Sequence, residues 1–195
     1  MEYRQLNGRA ALPFVEALGS LRMRVFREYP YLYDGAMSYE RKYLESYFAC
    51  PESLVVMAVD GARIIGATTG MPLNDAEKEW QAPFEAQGID KGSVFYFGES
   101  VLLPEYRGKG IGQRFFDLRE AYAATLPQIA CTSFCAVRRD ASDGRRPEGY
   151  RPLDGFWSKR GYRKVAGLTT TFSWKEIGAA VMTPQLMEFW IREFR

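Results

Sequence analysis

The stretch VLLPEYRGKGIGQ, residues 101–113, is the most informative part of this sequence. It begins with an apolar run that stops at Pro104, and it continues into a turn with glycine at positions 108, 110 and 112. Glycine lets a backbone approach a ligand closely, and the free N–H groups at the start of a following helix carry the positive end of its dipole. The stretch therefore predicts a seat for an anion, best matched to a phosphate or pyrophosphate.

Apolar patterns on both sides of this glycine turn predict a strand, a helix and a second strand. Val94–Leu103 is nearly all apolar, which indicates a strand buried on both faces. The apolar stripe of an amphipathic helix starts at Ile111 and continues to Tyr122. Ile129–Val137 is the next predicted strand. Because a strand, a helix and a strand in this order form a βαβ unit, we expect the two strands to be parallel.

The remaining patterns predict further helices and strands around this unit. Upstream, the expected elements are helices over 11–28, 38–50 and 75–87 and antiparallel strands over 54–59 and 63–71. Downstream they are a short helix over 155–160, a strand over 165–174 and a tail, 185–194, compatible with either strand or helix. This order predicts a single domain over 1–195 with a mixed α/β sheet.

Residues 138–154 form a long irregular segment between predicted elements. The segment contains five arginines and four acids. Loops of this length in a compact domain are usually functional or mobile. We expect a surface loop that neutralises its own charge, and the alternatives are a cover over the site or a binding segment for an acidic group.

The composition excludes several kinds of chemistry. The chain has no histidine, which removes a His-based triad, a zincin-type metal site and a histidine general base. Its three cysteines, Cys50, Cys131 and Cys135, support neither a disulfide framework nor a zinc site. We therefore expect no metal, and we expect the thiols to be buried and inert.

Charge and hydropathy indicate the partners to expect. The formal net charge of +2 is too balanced for a protein that holds nucleic acid through counterion release. Charged residues interrupt any signal-peptide core near the start, and no apolar run approaches the ~18 residues of a membrane span. The expectation is a cytoplasmic protein with no nucleic acid and no membrane partner.

The motif Arg-x-x-Gly-x-Gly, formed by Arg107, Gly110 and Gly112, resembles the acyl-CoA-binding signature of the GCN5-related N-acetyltransferase (GNAT) superfamily. Residues 155–162, GFWSKRGY, resemble the helix-to-strand element of that family that ends in a glycine–aromatic pair. A P-loop does not fit, because Lys109 is followed by glycine, and Gln113 breaks a Rossmann fingerprint. The resemblance implies a mixed, mostly antiparallel sheet, flanked by helices, whose central parallel pair splays to hold CoA.

The resemblance also implies how acetyl-CoA would bind. Its pantetheine would lie between the two parallel strands, with its amides paired to backbone groups near Val101 and Leu103. A backbone N–H near Leu102 would polarise the thioester carbonyl. The pyrophosphate would be held by the amides of Arg107, Gly108, Lys109, Gly110, Ile111 and Gly112.

Glu99 is the candidate catalytic base. It is an acid within an apolar strand, where desolvation would raise its pKa toward neutrality, as a base for an ammonium acceptor requires. Members of the resembling family often place a glutamate on this strand in that role. Two other interpretations stay open: a carboxylate paired with an arginine, and a group that binds the acceptor without taking its proton.

The usual general acid of the resembling family is absent. Many members have a tyrosine four residues before the glycine of the glycine–aromatic pair, and Trp157 holds that position here. Indole cannot donate a proton as an acid, so Trp157 is expected to pack against the cofactor or the core. Either Tyr150 or Tyr106 substitutes, or the thiolate leaves without help from the protein.

The first two helices and their connection line the acceptor site in the resembling family. The aromatic residues Phe26, Tyr29, Tyr31 and Tyr33 could hold an amine there, or they could simply pack a helix onto the sheet. The implied function is acetyl or acyl transfer from acetyl-CoA to a primary amine of a small molecule or a protein, by direct attack. A catalytically silent CoA-binding or regulatory module is the alternative, and the resemblance suggests a homodimer.

Overall fold

The structure is a computed structural model that describes residues 1–194. Five α-helices are described: α1 Val15–Phe26, α2 Met37–Ala49, α3 Lys78–Ala86, α4 Ile111–Thr125 and α5 Asp154–Lys159. The eight described strands are β1 Glu2–Leu6, β2 Leu54–Asp60, β3 Arg63–Pro72, β4 Val94–Tyr96, β5 Ser100–Leu102, β6 Cys131–Val137, β7 Arg163–Lys175 and β8 Met182–Glu193.

These strands form one mixed sheet in the order β1-β2-β3-β4-β6-β8-β7, with β5 paired to β3 beside β4. The β4–β6 pair is parallel, with Val94 opposite Cys131, and the other pairs are antiparallel. The structure thus confirms the predicted fold class: a mostly antiparallel mixed sheet with a central parallel pair and flanking helices.

The single strand predicted over Val94–Leu103 is in fact two strands. The chain follows β6 as far as Phe97, whose N–H donates to the Ser133 carbonyl at 2.7 Å. At Gly98 it turns away, and a Cβ there would lie 1.9 Å from the Tyr47 hydroxyl, so only glycine fits. The following strand, β5, pairs with β3 alone, and a cleft therefore opens between β5 and β6.

A buried arginine holds this strand break in place. Arg119 of α4 is 2% exposed, and its Nη1 donates to the carbonyls of Glu99 (3.2 Å) and Thr69 (3.4 Å). Its Nη2 donates to the Ser100 hydroxyl at 2.9 Å, and the guanidinium lies 4.0 Å from the centre of the Phe97 ring. Burial lowers the pKa of Arg119 to about 10, so the side chain remains charged at neutral pH.

The two ends of the chain lie at or near the edges of the sheet. The tail is strand β8, because it pairs along its length with both β6 and β7. Glu2–Leu6, for which no element was predicted, forms the edge strand β1. The helix predicted over 11–28 is shorter, since a 3-10 turn over Gly8–Phe14 precedes α1.

The apolar core has two parts. The larger part includes buried residues of α1, α2 and α4 and of the sheet, among them Leu18, Leu44 and Phe115. The smaller part includes Phe84 of α3 and Phe189 of β8. Within residues 1–194, no helix combines the length and apolarity needed to cross a membrane.

Candidate active site

A cleft of about 1480 Å³ opens where β5 and β6 separate. It is lined by the glycine turn, by the exposed side of β5, by Glu99 and by aromatic residues from the connection between α1 and α2. The structure therefore places five of the nine predicted donor residues and all four predicted acceptor residues along one continuous cavity.

The glycine turn has the backbone form expected of an anion seat. Gly108 and Gly110 have φ values of +76° and +81°, which favour glycine, and Gly110 is the N-cap of α4 without a side-chain cap. Gly112 is different: its φ is not positive, and an added Cβ would meet nothing within 4 Å. The chain itself therefore does not require glycine at 112, and the backbone at this position is open to close approach from the cleft.

Four of the six residues predicted on this turn line the cleft: Arg107, Gly108, Gly110 and Gly112. The side chain of Ile111 is buried in the core, and Lys109 Nζ lies over the Tyr106 ring, 5.0 Å from its centre. Only the backbone amides of these two residues are therefore candidates for the ligand. The N–H of Arg107 donates to the Pro104 carbonyl, so that amide is already used.

The backbone of β5 faces the cleft at alternate residues. The N–H of Leu103 donates to the Ile65 carbonyl at 2.9 Å, and Val101 pairs with Ala67 of β3. Antiparallel pairing alternates, so the backbone groups of Ser100 and Leu102 point the other way, and both residues line the cleft. The backbone groups of Val101 and Leu103, expected to meet pantetheine, are thus already paired with β3, whereas those of Ser100 and Leu102 face the cleft, where the Leu102 carbonyl accepts from Arg107 Nε at 3.3 Å.

Glu99 lies in a buried cluster of charges. Its Oε2 accepts a hydrogen bond from the Tyr43 hydroxyl at 2.7 Å and lies 2.6 Å from Arg22 Nη1. Arg22 Nε donates in turn to Glu40 Oε2 at 2.5 Å, and Tyr33 donates to the other Glu40 oxygen at 2.8 Å. Two buried carboxylates therefore share one guanidinium. The apolar strand pattern had suggested apolar surroundings for Glu99, but its neighbours include a charged arginine and a tyrosine hydroxyl.

The neighbours of Glu99 hold their protons firmly. Burial alone would lower the pKa of Arg22, but Coulombic attraction from Glu99, Tyr43 and Glu40 raises it well above the usual value. Burial, followed by the Glu99 charge, raises the pKa of Tyr43 well above its usual value. At neutral pH Arg22 is therefore charged and Tyr43 is neutral, and the cluster holds two carboxyl groups around one guanidinium.

All four aromatic residues predicted for the acceptor side line the cleft. The rings of Phe26 and Tyr31 lie 4.6 Å apart, and Tyr29 meets Tyr150 edge-on at 4.7 Å. The sequence did not reveal several further aromatic residues that line the same cleft, among them Tyr39, Tyr43, Trp80, Tyr96, Phe172 and Trp174. Their positions in α2, α3, β4 and β7 are brought together by the fold alone.

The structure separates the candidates for a general acid. Trp157 packs between the rings of Phe134 (5.0 Å) and Trp190 (5.2 Å), which agrees with the expected packing role. Tyr106 is not among the cleft residues, and its hydroxyl donates to Asp60 at 2.9 Å. Tyr150 lines the cleft, and burial raises its pKa, so it keeps its proton at neutral pH.

The 138–154 segment combines two of the roles expected for it. Arg145 pairs with Asp143 inside the segment at 2.8 Å, as a self-neutralised loop would. Arg139 pairs at 2.5 Å with Glu176, which lies outside the segment, and it also donates to the Pro30 carbonyl at 2.6 Å. Residues 146–154 line the cleft, so the segment also covers part of it.

The cysteines are protonated at neutral pH. Burial raises the pKa of Cys135, which lines the cleft, to about 12, and it raises those of Cys50 and Cys131 to about 11. Such thiols are poor nucleophiles. Residues 1–194 contain no group of three or more His, Cys, Asp or Glu residues placed to hold a metal ion.

A splayed parallel pair with a glycine turn at a helix start defines an acetyltransferase-type fold. The model of the Acetyltransferase (GNAT) family matches residues 18–145, and the chain therefore belongs to that family. No curated protein matches the sequence.

Similar solved structures include the GphF GNAT-like decarboxylase in complex with isobutyryl-CoA, at 16% identity and a TM-score of 0.65, with all of both chains covered. Arabidopsis thaliana NAA60 in complex with acetyl-CoA has 12% identity and a TM-score of 0.63, with 99% of this chain and 98% of that chain covered. A Drosophila melanogaster polyamine N-acetyltransferase has 12% identity and a TM-score of 0.60, with 99% of this chain and 100% of that chain covered. At sequence identities of 12–16%, the similarity to these structures shows the fold alone.

Proposed function

We propose that this protein transfers an acetyl group from acetyl-CoA to a primary amine of a small-molecule or protein acceptor. One observation carries the proposal: a single cleft holds the glycine turn, the edge of β5 that faces away from β3, and the buried carboxylate Glu99. Membership of the GNAT family supports acyl transfer, and two of the similar structures contain a CoA thioester.

The donor would be held by backbone groups. The amides of residues 108–113 are at or near the start of α4, where the helix dipole favours the pyrophosphate. The pantetheine would lie along β5 and pair with the cleft-facing backbone of Ser100, since the Leu102 carbonyl already accepts from Arg107 Nε. The N–H of Leu102 would then donate to the thioester oxygen as negative charge develops on it.

The chemical step is a direct displacement. The neutral amine attacks the thioester carbon, the C–N bond forms, and the C–S bond breaks with its electron pair on sulfur. In our proposal Glu99 receives the proton of the acceptor at Oε1, because Tyr43 and Arg22 contact its Oε2. Tyr150 is our candidate for returning a proton to the leaving thiolate, and placement of the two reactants in one cleft supplies much of the rate.

Amine-dependent release of CoA tests this proposal. Purified protein is incubated with acetyl-CoA and, separately, with 2-phenylethylamine, spermidine and a peptide with a free N-terminus. The free thiol and the mass of the acetylated amine are then measured. We expect release that requires both protein and amine. Binding of acetyl-CoA without release with any amine would contradict the proposal and indicate a silent CoA-binding module.

A further inference from the structure

Two groups of aromatic rings line the cleft next to the Glu99 cluster. In the first group, Tyr31 lies 4.6 Å from Phe26 and 5.9 Å from Trp174, measured between ring centres. In the second group Trp80 is central. Its ring centre lies 4.5 Å from that of Tyr96, 4.8 Å from that of Phe172 and 6.4 Å from that of Tyr43.

Both ring groups contact the charged cluster. Arg22 lies 5.1 Å from the centre of the Phe26 ring in the first group and 3.9 Å from that of Tyr43 in the second. Tyr43 also donates to Glu99. The two groups are therefore the immediate surroundings of the carboxylate that we assign to the acceptor.

Strand β7 contributes one ring to each group. Phe172 and Trp174 are two residues apart, so their side chains leave the same face of the strand. Both are half-buried and line the cleft, as do Trp80 and Tyr31, so these rings are not simply part of the closed core. They present apolar surface to whatever enters the cleft.

Carboxyl groups outnumber cations in and beside the Glu99 cluster. Glu99 and Glu40 share the single guanidinium of Arg22, and Glu77 lines the cleft without an ion-pair partner among residues 1–194. Two other cations of the cleft lining are already paired: Arg139 with Glu176, and Lys164 with Glu188.

We infer that the acceptor is a primary amine carried on an aromatic or similarly flat apolar body. Its ammonium binds at the Glu99 cluster, and its body lies against the rings of Trp80, Phe172 and Trp174. Aromatic faces attract a cation and also bury flat apolar surface, while the carboxylates supply the opposite charge. Spermidine has no ring or flat apolar face to place there, so it would bury less apolar surface against these rings. The inference rests on the proposed function and specifies its substrate class.

Comparison of kcat/KM among amines, at saturating acetyl-CoA, tests the inference. We expect 2-phenylethylamine to exceed spermidine and a free-N-terminus peptide by about tenfold or more. Phe172→Ala should raise the KM for 2-phenylethylamine about tenfold and leave the KM for acetyl-CoA unchanged, and Phe172→Tyr should restore it. Thr171→Ala, on the opposite face of β7, is the matched control and should change neither constant. Preference for spermidine or for the peptide would overturn the inference.

Direct titration separates this inference from the proposed function. 2-Phenylethylamine is titrated into the protein–CoA complex in a calorimeter, with its neutral analogue 2-phenylethanol as the comparison. The inference is supported if 2-phenylethylamine binds, if Phe172→Ala weakens that binding, and if 2-phenylethanol does not bind equally well. This result would stand even where no turnover is seen, in which case only the proposed function fails. Absence of amine binding to the wild-type complex, or equal binding of 2-phenylethanol, would overturn it.

Discussion

The donor end and the acceptor end of the cleft are built in different ways. The proposed donor end is a run of consecutive residues, 107–112, which would act mainly through backbone N–H groups at the start of α4. The acceptor end is assembled from side chains of α1, α2, α3 and β7, such as Arg22, Tyr43, Trp80 and Phe172. The first is local in the sequence, and the second exists only after the chain has folded.

The two ends also differ in charge. The start of α4 presents the positive end of a helix dipole, whereas the acceptor end has two buried carboxylates around one guanidinium. Under the proposed function, an anionic donor and a cationic acceptor would therefore be drawn to opposite ends of one cleft. Substitutions at one end should leave binding at the other end unchanged, and the following predictions test this separation.

The largest effect is expected from Glu99→Gln. If Glu99 takes the proton of the acceptor, kcat should fall about 10²- to 10⁴-fold, since that is the usual contribution of a general base. The Kd for acetyl-CoA should change less than about threefold, because Glu99 belongs to the acceptor end. Steady-state kinetics and calorimetry measure the two quantities, and an unchanged kcat would show that Glu99 is not the base.

Glu40→Gln is the matched control for this substitution. Glu40 pairs with the same guanidinium but is fully buried and does not line the cleft. The Glu40→Gln substitution should lower the thermal stability of the protein without a comparable loss of kcat. Equal losses of kcat in the two variants would mean that the cluster acts only through the fold.

The next largest effect is expected at the donor end, from Gly112→Leu. The new side chain would occupy the space that we assign to the pyrophosphate, so affinity for acetyl-CoA should fall about 100-fold, or about 2.7 kcal/mol. The melting temperature without ligand should stay the same, because a Cβ at this position meets nothing within 4 Å. Gly144→Leu, equally unobstructed but outside the cleft, should change neither value. Wild-type affinity in Gly112→Leu would remove the glycine turn from the donor site.

A smaller effect, on stability, is expected from Arg119→Met. The substitution leaves the buried carbonyls of Thr69 and Glu99 without this donor, which should lower the free energy of unfolding by about 2 kcal/mol. Urea denaturation measures the change. Arg114→Met, on the exposed surface of the same helix, should leave it nearly unchanged. Equal stability of the two variants would show that Arg119 does not hold the break between β4 and β5.

The smallest effect is expected from alkylation of the cysteines. With pKa values of about 11 to 12, the three thiols are almost wholly protonated at pH 7.5. Iodoacetamide should therefore label the native protein slowly, with faster labelling only as the pH approaches 11, and turnover should change less than about twofold. Protein unfolded in urea is the control and should label readily at pH 7.5. Fast labelling of the native protein with loss of turnover would assign a thiol to the reaction.

The sequence predicts the features that depend on residues close to one another along the chain. The glycine turn, helix α4 and the parallel pair follow from local spacing, and four of the six predicted turn residues lie along one cleft with the four predicted aromatic residues. The break between β4 and β5 could not be predicted, because it depends on Tyr47 and Arg119, which come from other elements. For the same reason an apolar strand pattern could not reveal that Arg22 and Tyr43 surround Glu99.

Hydrogen exchange with and without acetyl-CoA tests the central claim most directly, namely that backbone amides at the glycine turn and along β5 hold the donor. The measurement compares peptides that cover residues 98–114 with peptides that cover β7. We predict that acetyl-CoA slows exchange in the first set of peptides and leaves the second set unchanged. Adenosine alone should change exchange in neither set. Unchanged exchange over residues 98–114 at millimolar acetyl-CoA would contradict the account.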